Sequence, residues 1–167
     1  MIARSALIDQ TGAAAVEMVL LVPLLLVLLF GGLEAGHFIW TEHKLIEGVR
    51  DGSRFAARLD IEDVCGGDSA KLAAAQAKVR LLTRTGQLAD GNASPRVPRW
   101  TDGQVTVTFA CDAFVSTGIY SDLDAAAGPI VTVTASGVAY PSLFERLGIL
   151  DSSIAMSATS HAAVIGL

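Results

Sequence analysis

From Ala13 to Leu33 the chain runs 21 residues with one charged side chain, Glu17, and no other polar one. At 1.5 Å per residue such a segment spans about 30 Å, the thickness of a bilayer's hydrocarbon core. Only a helix or a closed barrel satisfies its own backbone in lipid, and one isolated segment leaves the helix. Glu17 conflicts with that setting. An ionised carboxylate at the centre of a membrane helix costs about 2.5–3.5 kcal/mol on insertion scales, so an acid kept there is a functional candidate in search of a partner. Pro23, inside the same run, removes a backbone hydrogen bond and crowds the carbonyl of Val19. Membrane helices tolerate this, and it reads equally as a useful bend or an idle kink.

The 167 residues suffice for one domain plus this appendage. Mean hydropathy is +0.50, with the excess at the front. A net charge of −5, from 12 basic and 17 acidic residues without a basic cluster, gives nucleic-acid binding no electrostatic footing. Before the apolar run, Arg4 and the amino terminus outweigh Asp9. The positive-inside rule then favours a cytoplasmic amino terminus, with the body across the membrane. The run exceeds the 7–15 residues of a secretory signal core, and Glu34-Ala35-Gly36 is a poor cleavage site. An uncleaved signal anchor explains length and orientation but leaves Glu17 incidental. The two cysteines, Cys65 and Cys111, suit a disulfide in an oxidising compartment, with two buried free thiols as the alternative.

Beyond the membrane the pattern predicts a small α+β domain. The long helix continues over 34–60, with Ile39, Ile46, Val49, Ala56 and Leu59 on one face. Gly31-Gly32, Gly36, Gly48 and Gly52 each weaken this helix and are small enough to let neighbouring helices come close, with a kink expected near Gly31-Gly32 or Gly36. Asp68 or Ser69 caps a second helix running to Thr85, with Leu72, Val79 and Leu82 inward and Gly86 as its stop. Three alternating stretches predict an antiparallel sheet: Gln104 to Cys111, Ile130 to Ala139, and Ile154 to Ile165. The first turns Val105, Val107, Phe109 and Cys111 inward. The last turns in Ile154, Met156, Ala158, Ala162 and Val164. Gly86 to Gly103 and Asp112 to Pro129 read as long loops, the second carrying Phe114, Ile119 and Tyr120. Pro141 to Leu150 is an apolar connection expected to pack on the long helix near the membrane.

Catalytic chemistry finds no motif. HExxH, a P-loop, GxSxG and CxxC are all missing from the sequence. His37 and His43 stand six apart, on different faces of a helix, and His161 falls on the polar face of the last strand, so each reads as a surface residue. No catalytic residue, metal site, cofactor or small-molecule substrate is expected, although a membrane-tethered enzyme with a scattered site is a rival.

Gly12, then Ala13, with Glu17 five residues past the glycine and an apolar helix beyond, resembles the processing site of type IV prepilins. The longer stretch AAAVEMVLLVPLLLVLLFGGLEAGHFIW, continuing into EGVRDGSRFAARLD, resembles the TadE-like pseudopilins of tight-adherence pilus systems. Met18 stands where those proteins usually have Phe, and Ala35-Gly36-His37 replaces their aromatic–glycine pair. The resemblance implies a pilin-like domain behind a leader of residues 1–12. A prepilin peptidase would cut that leader after Gly12 and methylate Ala13. Glu17 would pair with the terminal amine of a neighbouring subunit in a filament, with Pro23 adjusting the helix between bilayer and assembly. The implied protein is a minor pseudopilin of the inner membrane whose domain, 61–167, is periplasmic. Its partners would be the peptidase, other pilins and the pilus assembly platform. The alternative is an uncleaved, signal-anchored periplasmic binding or scaffold protein.

Overall fold

The computed structural model describes residues 11–89, 93–111, 129–146, 148 and 154–165. Helix α1 (Thr11–Ala56) is followed by a short α2 (Ile61–Cys65) and by α3 (Ser69–Thr85). A 3-10 turn (Asp102–Gln104) leads into β1 (Val105–Ala110), then β2 (Ile130–Ala139), a single turn α4 (Leu143–Arg146) and β3 (Ala155–Ala163). The architecture is α+β: a long apolar helix leads into a small domain built on a three-stranded antiparallel sheet.

Helix α1 is 46 residues, about 70 Å at helical rise. Helical structure is continuous through Pro23, Gly31-Gly32 and Gly36. Its end falls at Ala56, three residues before the predicted Leu59, where a turn delivers the chain to Asp60. The Asp60 carboxylate caps α2 by accepting from the Glu62 amide at 2.9 Å. Asp68 caps α3 in the same way through the Ala70 amide at 2.9 Å. Gly86 closes α3 in the left-handed conformation, as the sequence predicts.

The sheet has strand order β1-β2-β3. Val107 faces Val133, and Val133 faces Ser160; Val131 faces Ala162 and Ala135 faces Ala158. These residues form the face covered by α1 and α3. The opposite face carries the ladders Thr106–Thr134–Thr159 and Thr108–Thr132–His161. There Thr134 and Thr159 hydroxyls stand 3.2 Å apart, and the Thr132 hydroxyl lies 2.8 Å from the His161 ring. Period-two alternation thus sorts the strands as read, apart from a bulge at Ser136–Gly137, past which Val138 turns inward, and from Ile154. Ile154 lies just ahead of β3 and is exposed, because pairing with β2 begins only at Ala155.

The core lies between helices and sheet and includes Leu45, Val49, Ala56, Val79, Val107, Val131 and Val133. On α1 the buried face runs Thr41, Leu45, Gly48, Val49, Gly52, Ser53 and Ala56. Ile39, predicted to face inward, is exposed. The buried face is turned toward its small residues because α3 crosses α1 there. A Cβ on Gly48 would sit 2.5 Å from the Thr83 carbonyl oxygen, and one on Gly52 would fall on the Thr83 hydroxyl. Thr83 is therefore fully buried, its hydroxyl donating to the Val79 carbonyl at 2.8 Å. Leu72, expected in the stripe, is half-buried together with Leu82.

The segment read as a long loop after Gly86 contributes two side chains to the core. Val97 and Trp100 are buried, with the Trp100 ring against α1 at Gly48. Arg96 binds Asp51 of α1 at 2.6 Å, and its amide donates to the Arg84 carbonyl at 2.8 Å. The expectations for Phe114, Ile119 and Tyr120, for Leu147, Ile149 and Leu150, and for residues 1–10 of the leader lie outside the described residues.

Candidate functional site: the apolar stalk and its collar

Gly12, Ala13, Glu17 and Pro23 lie along the first turns of α1, all exposed. Gly12 and Ala13 are helical, so the residues of the predicted processing site and Glu17 occupy little more than one continuous turn. From Val16 to Phe30 the large apolar side chains are exposed around the helix. No core stripe is being presented to the domain here, and an apolar helix with no dry side is suited to lipid or to other helices. Among the described residues α1 is the helix long and apolar enough to cross a membrane.

Cys65 and Cys111 are brought together. A disulfide joins the end of α2 to the residue after β1, with Cα atoms 5.7 Å apart. The alternation that turns Cys111 toward the helices aims it at Cys65, which resolves the choice left open by the sequence.

Where the stalk meets the domain, side chains that the sequence does not bring together form a collar. The Tyr140 hydroxyl donates to the Glu34 carbonyl oxygen at 3.2 Å and lies 2.9 Å from Nδ1 of His37. The Glu34 carboxylate accepts from the Leu143 amide at 3.1 Å, at the start of α4. Phe38 meets the Tyr140 ring edge-on at 5.1 Å. His37, read as a surface residue, is thus half-buried and bonded; one polar residue on a helix gives no sign of a partner 103 positions away. Of the apolar connection 141–150, the described turn α4 contacts α1. Beside it an open groove of about 600 Å³ is walled by Trp40 and Lys44 of α1, by Arg96, Pro98 and Arg99 and by Glu145. Arg99 and Glu145 close one wall with paired hydrogen bonds of 2.8 and 2.9 Å.

Residues 12–54 match the family model described as TadE-like protein. Over that stretch, about a quarter of its length, the chain is similar to the TadE-like family. The match starts at Gly12 and stops two residues short of the end of α1, so it covers the stalk and the α1 turns that carry Glu34, His37, Gly48 and Gly52. No curated protein and no solved structure matches the chain. The α3 helix and the sheet, which the TadE-like helix supports, lie outside the matched segment.

Burial, reinforced by the hydrogen bond and charge of Glu34, pushes the Tyr140 phenol from about 10 up to about 12. The folded chain holds that proton more tightly than the unfolded one. The stabilisation is complete below pH 10 and is lost as pH rises through 12. Two units correspond to something on the order of 2–3 kcal/mol. Denaturant titrations from pH 9 to 12 are expected to show stability falling steeply in the wild type. In Tyr140→Phe that part of the slope should vanish; an unchanged slope would remove Tyr140 from its cause.

Proposed function

We propose that the chain is a minor pseudopilin acting in assembly of a tight-adherence type IV pilus. The observation that carries this reading is the TadE-like match beginning at Gly12 and covering an exposed apolar helix with a lone carboxylate, Glu17. A prepilin peptidase at the cytoplasmic face cuts after Gly12, where the absence of Cβ lets an extended backbone enter a protease cleft. The new ammonium on Ala13 lies about one turn from Glu17. In a filament the carboxylate of one subunit pairs with the amine of the next. A charge left unpaired in apolar surroundings is strongly penalised, so the pair sets axial register. The folded domain lies across the inner membrane, where the Cys65–Cys111 bond persists. Its partners are other pilins and the assembly platform, and its work is assembly without catalysis.

Mass spectrometry of the mature amino terminus, from membranes with and without the peptidase, tests processing. A chain beginning at methylated Ala13 only when the peptidase is present is expected. A chain retaining Met1 would leave a signal anchor with a scaffold domain. Glu17→Gln is expected to be cut normally yet to abolish filaments, and normal piliation by that variant would dismiss the pairing role.

A further inference from the structure

The collar carries an apolar surface past the point where the sequence suggests the membrane ends. Glu34, the first charge after Glu17, is folded into the domain. Its carboxylate accepts from the Leu143 amide and its carbonyl from Tyr140, so both groups are engaged by the domain. Exposed apolar side chains continue beyond it through Ile39 to Trp40. From Glu17 to Trp40 is 23 residues, about 35 Å along a helix, against about 30 Å for the hydrocarbon core and 40–45 Å with headgroups. With Glu17 at one face of the bilayer, Trp40 therefore falls in the headgroup layer of the other, the layer that tryptophan favours. Lys44 follows one turn later, its ammonium 3.6 Å from the centre of the Trp40 ring. Helical side chains lean toward the amino terminus, which here is toward the membrane. The aliphatic stem of Lys44 then covers apolar surface while its charge stays among polar groups.

We infer that the water–lipid boundary lies at Trp40–Lys44, and that the groove beside them seats on the phospholipid headgroups of the leaflet from which α1 emerges, with Lys44 taking a headgroup phosphate. This rests on α1 spanning the bilayer. The domain is thereby held down on the leaflet, and the rigid Glu34–Tyr140–Leu143 contact sets its tilt.

Fluorescence quenching of the full chain in phosphatidylethanolamine–phosphatidylglycerol vesicles tests this, with lipids brominated either near the headgroup or near the chain ends. Trp100, buried in the core, gives the same background in every variant. The Trp40 component, taken as wild type minus Trp40→Phe, is expected to lose more than half its intensity to the shallow label and little to the deep one. Lys44→Glu is expected to weaken the shallow quenching, and no change would overturn the phosphate contact. A Phe30→Trp reporter in the Trp40→Phe background reads the span independently and is expected to respond to the deep label. If that reporter is quenched while Trp40 responds to neither label, the span stands and the seating is overturned. Deep quenching of Trp40 would overturn the assigned boundary. Silence at both positions would overturn the span itself.

Discussion

Gly52→Ala is expected to lower the melting temperature of the full chain, although alanine is the better helix former. Each glycine in an exposed helix interior sacrifices up to about 1 kcal/mol relative to alanine. Gly36→Ala, where a Cβ would meet open space, is accordingly expected to be neutral or mildly stabilising. At Gly52 the sign reverses. The new methyl would fall on the hydroxyl of Thr83, a fully buried side chain held by the Val79 carbonyl, so it does not yield cheaply. Overpacking of this kind costs about 1–3 kcal/mol and outweighs the helical gain. The expected fall is several degrees, at roughly 2–4 °C per kcal/mol for a chain of this size. Thr83→Ala in the same chain removes the obstructing atoms, so the double variant should recover part of the loss. A double-mutant cycle reads that coupling directly. A Gly52→Ala variant more stable than wild type would refute the close crossing of α1 and α3. Gly48→Ala should be at least as damaging, since its Cβ would meet the Thr83 backbone oxygen, which no side-chain rotation can move.

Reduction of Cys65–Cys111 is the second large effect. The bond closes a loop of 46 residues that contains α3 and the buried Val97 and Trp100. Opening a loop of that size restores chain entropy to the unfolded state and costs roughly 2–4 kcal/mol. The melting temperature should drop by about 5–15 °C in reductant or in the Cys65→Ser/Cys111→Ser chain. The intact mass should also be two hydrogens short of the reduced form, with no alkylation until reductant is added. A melting temperature indifferent to reductant would deny the bond its structural role. In the cell, that dependence makes the domain suited to an oxidising compartment.

Much of this architecture is written locally in the chain. Twenty-one residues with one charge specify a membrane-length helix whatever follows them, because backbone polar groups in lipid have no other outlet. Asp68 and Gly86 mark both ends of α3 by capping chemistry that involves only adjacent residues. Strand alternation sorts Val105 and Val107 from Thr106 and Thr108, and places Ile130 to Ala139 within its observed limits. Gly12, Ala13, Glu17 and Pro23, proposed for processing and assembly, are singled out by spacing and resemblance alone.

What stayed hidden depends on partners far away in sequence. Which face of α1 is buried was decided by where α3 crosses, and so Gly48, Gly52 and Thr83 entered the core while Ile39 was left outside. Hydrophobicity alone ranks those residues the other way. Residues 93–100 read as loop because prolines and arginines dominate them, yet Val97 and Trp100 fill the gap beside α1 and Arg96 ties the segment to Asp51. The collar of Glu34, His37 and Tyr140 joins positions more than a hundred residues apart. By itself the sequence determined the elements, their caps and the apolar stalk, since those follow from interactions within a turn or a strand. Only the tertiary structure decided the helix crossing, the filled loop and the collar, because each is a contact between surfaces that the chain must first bring together.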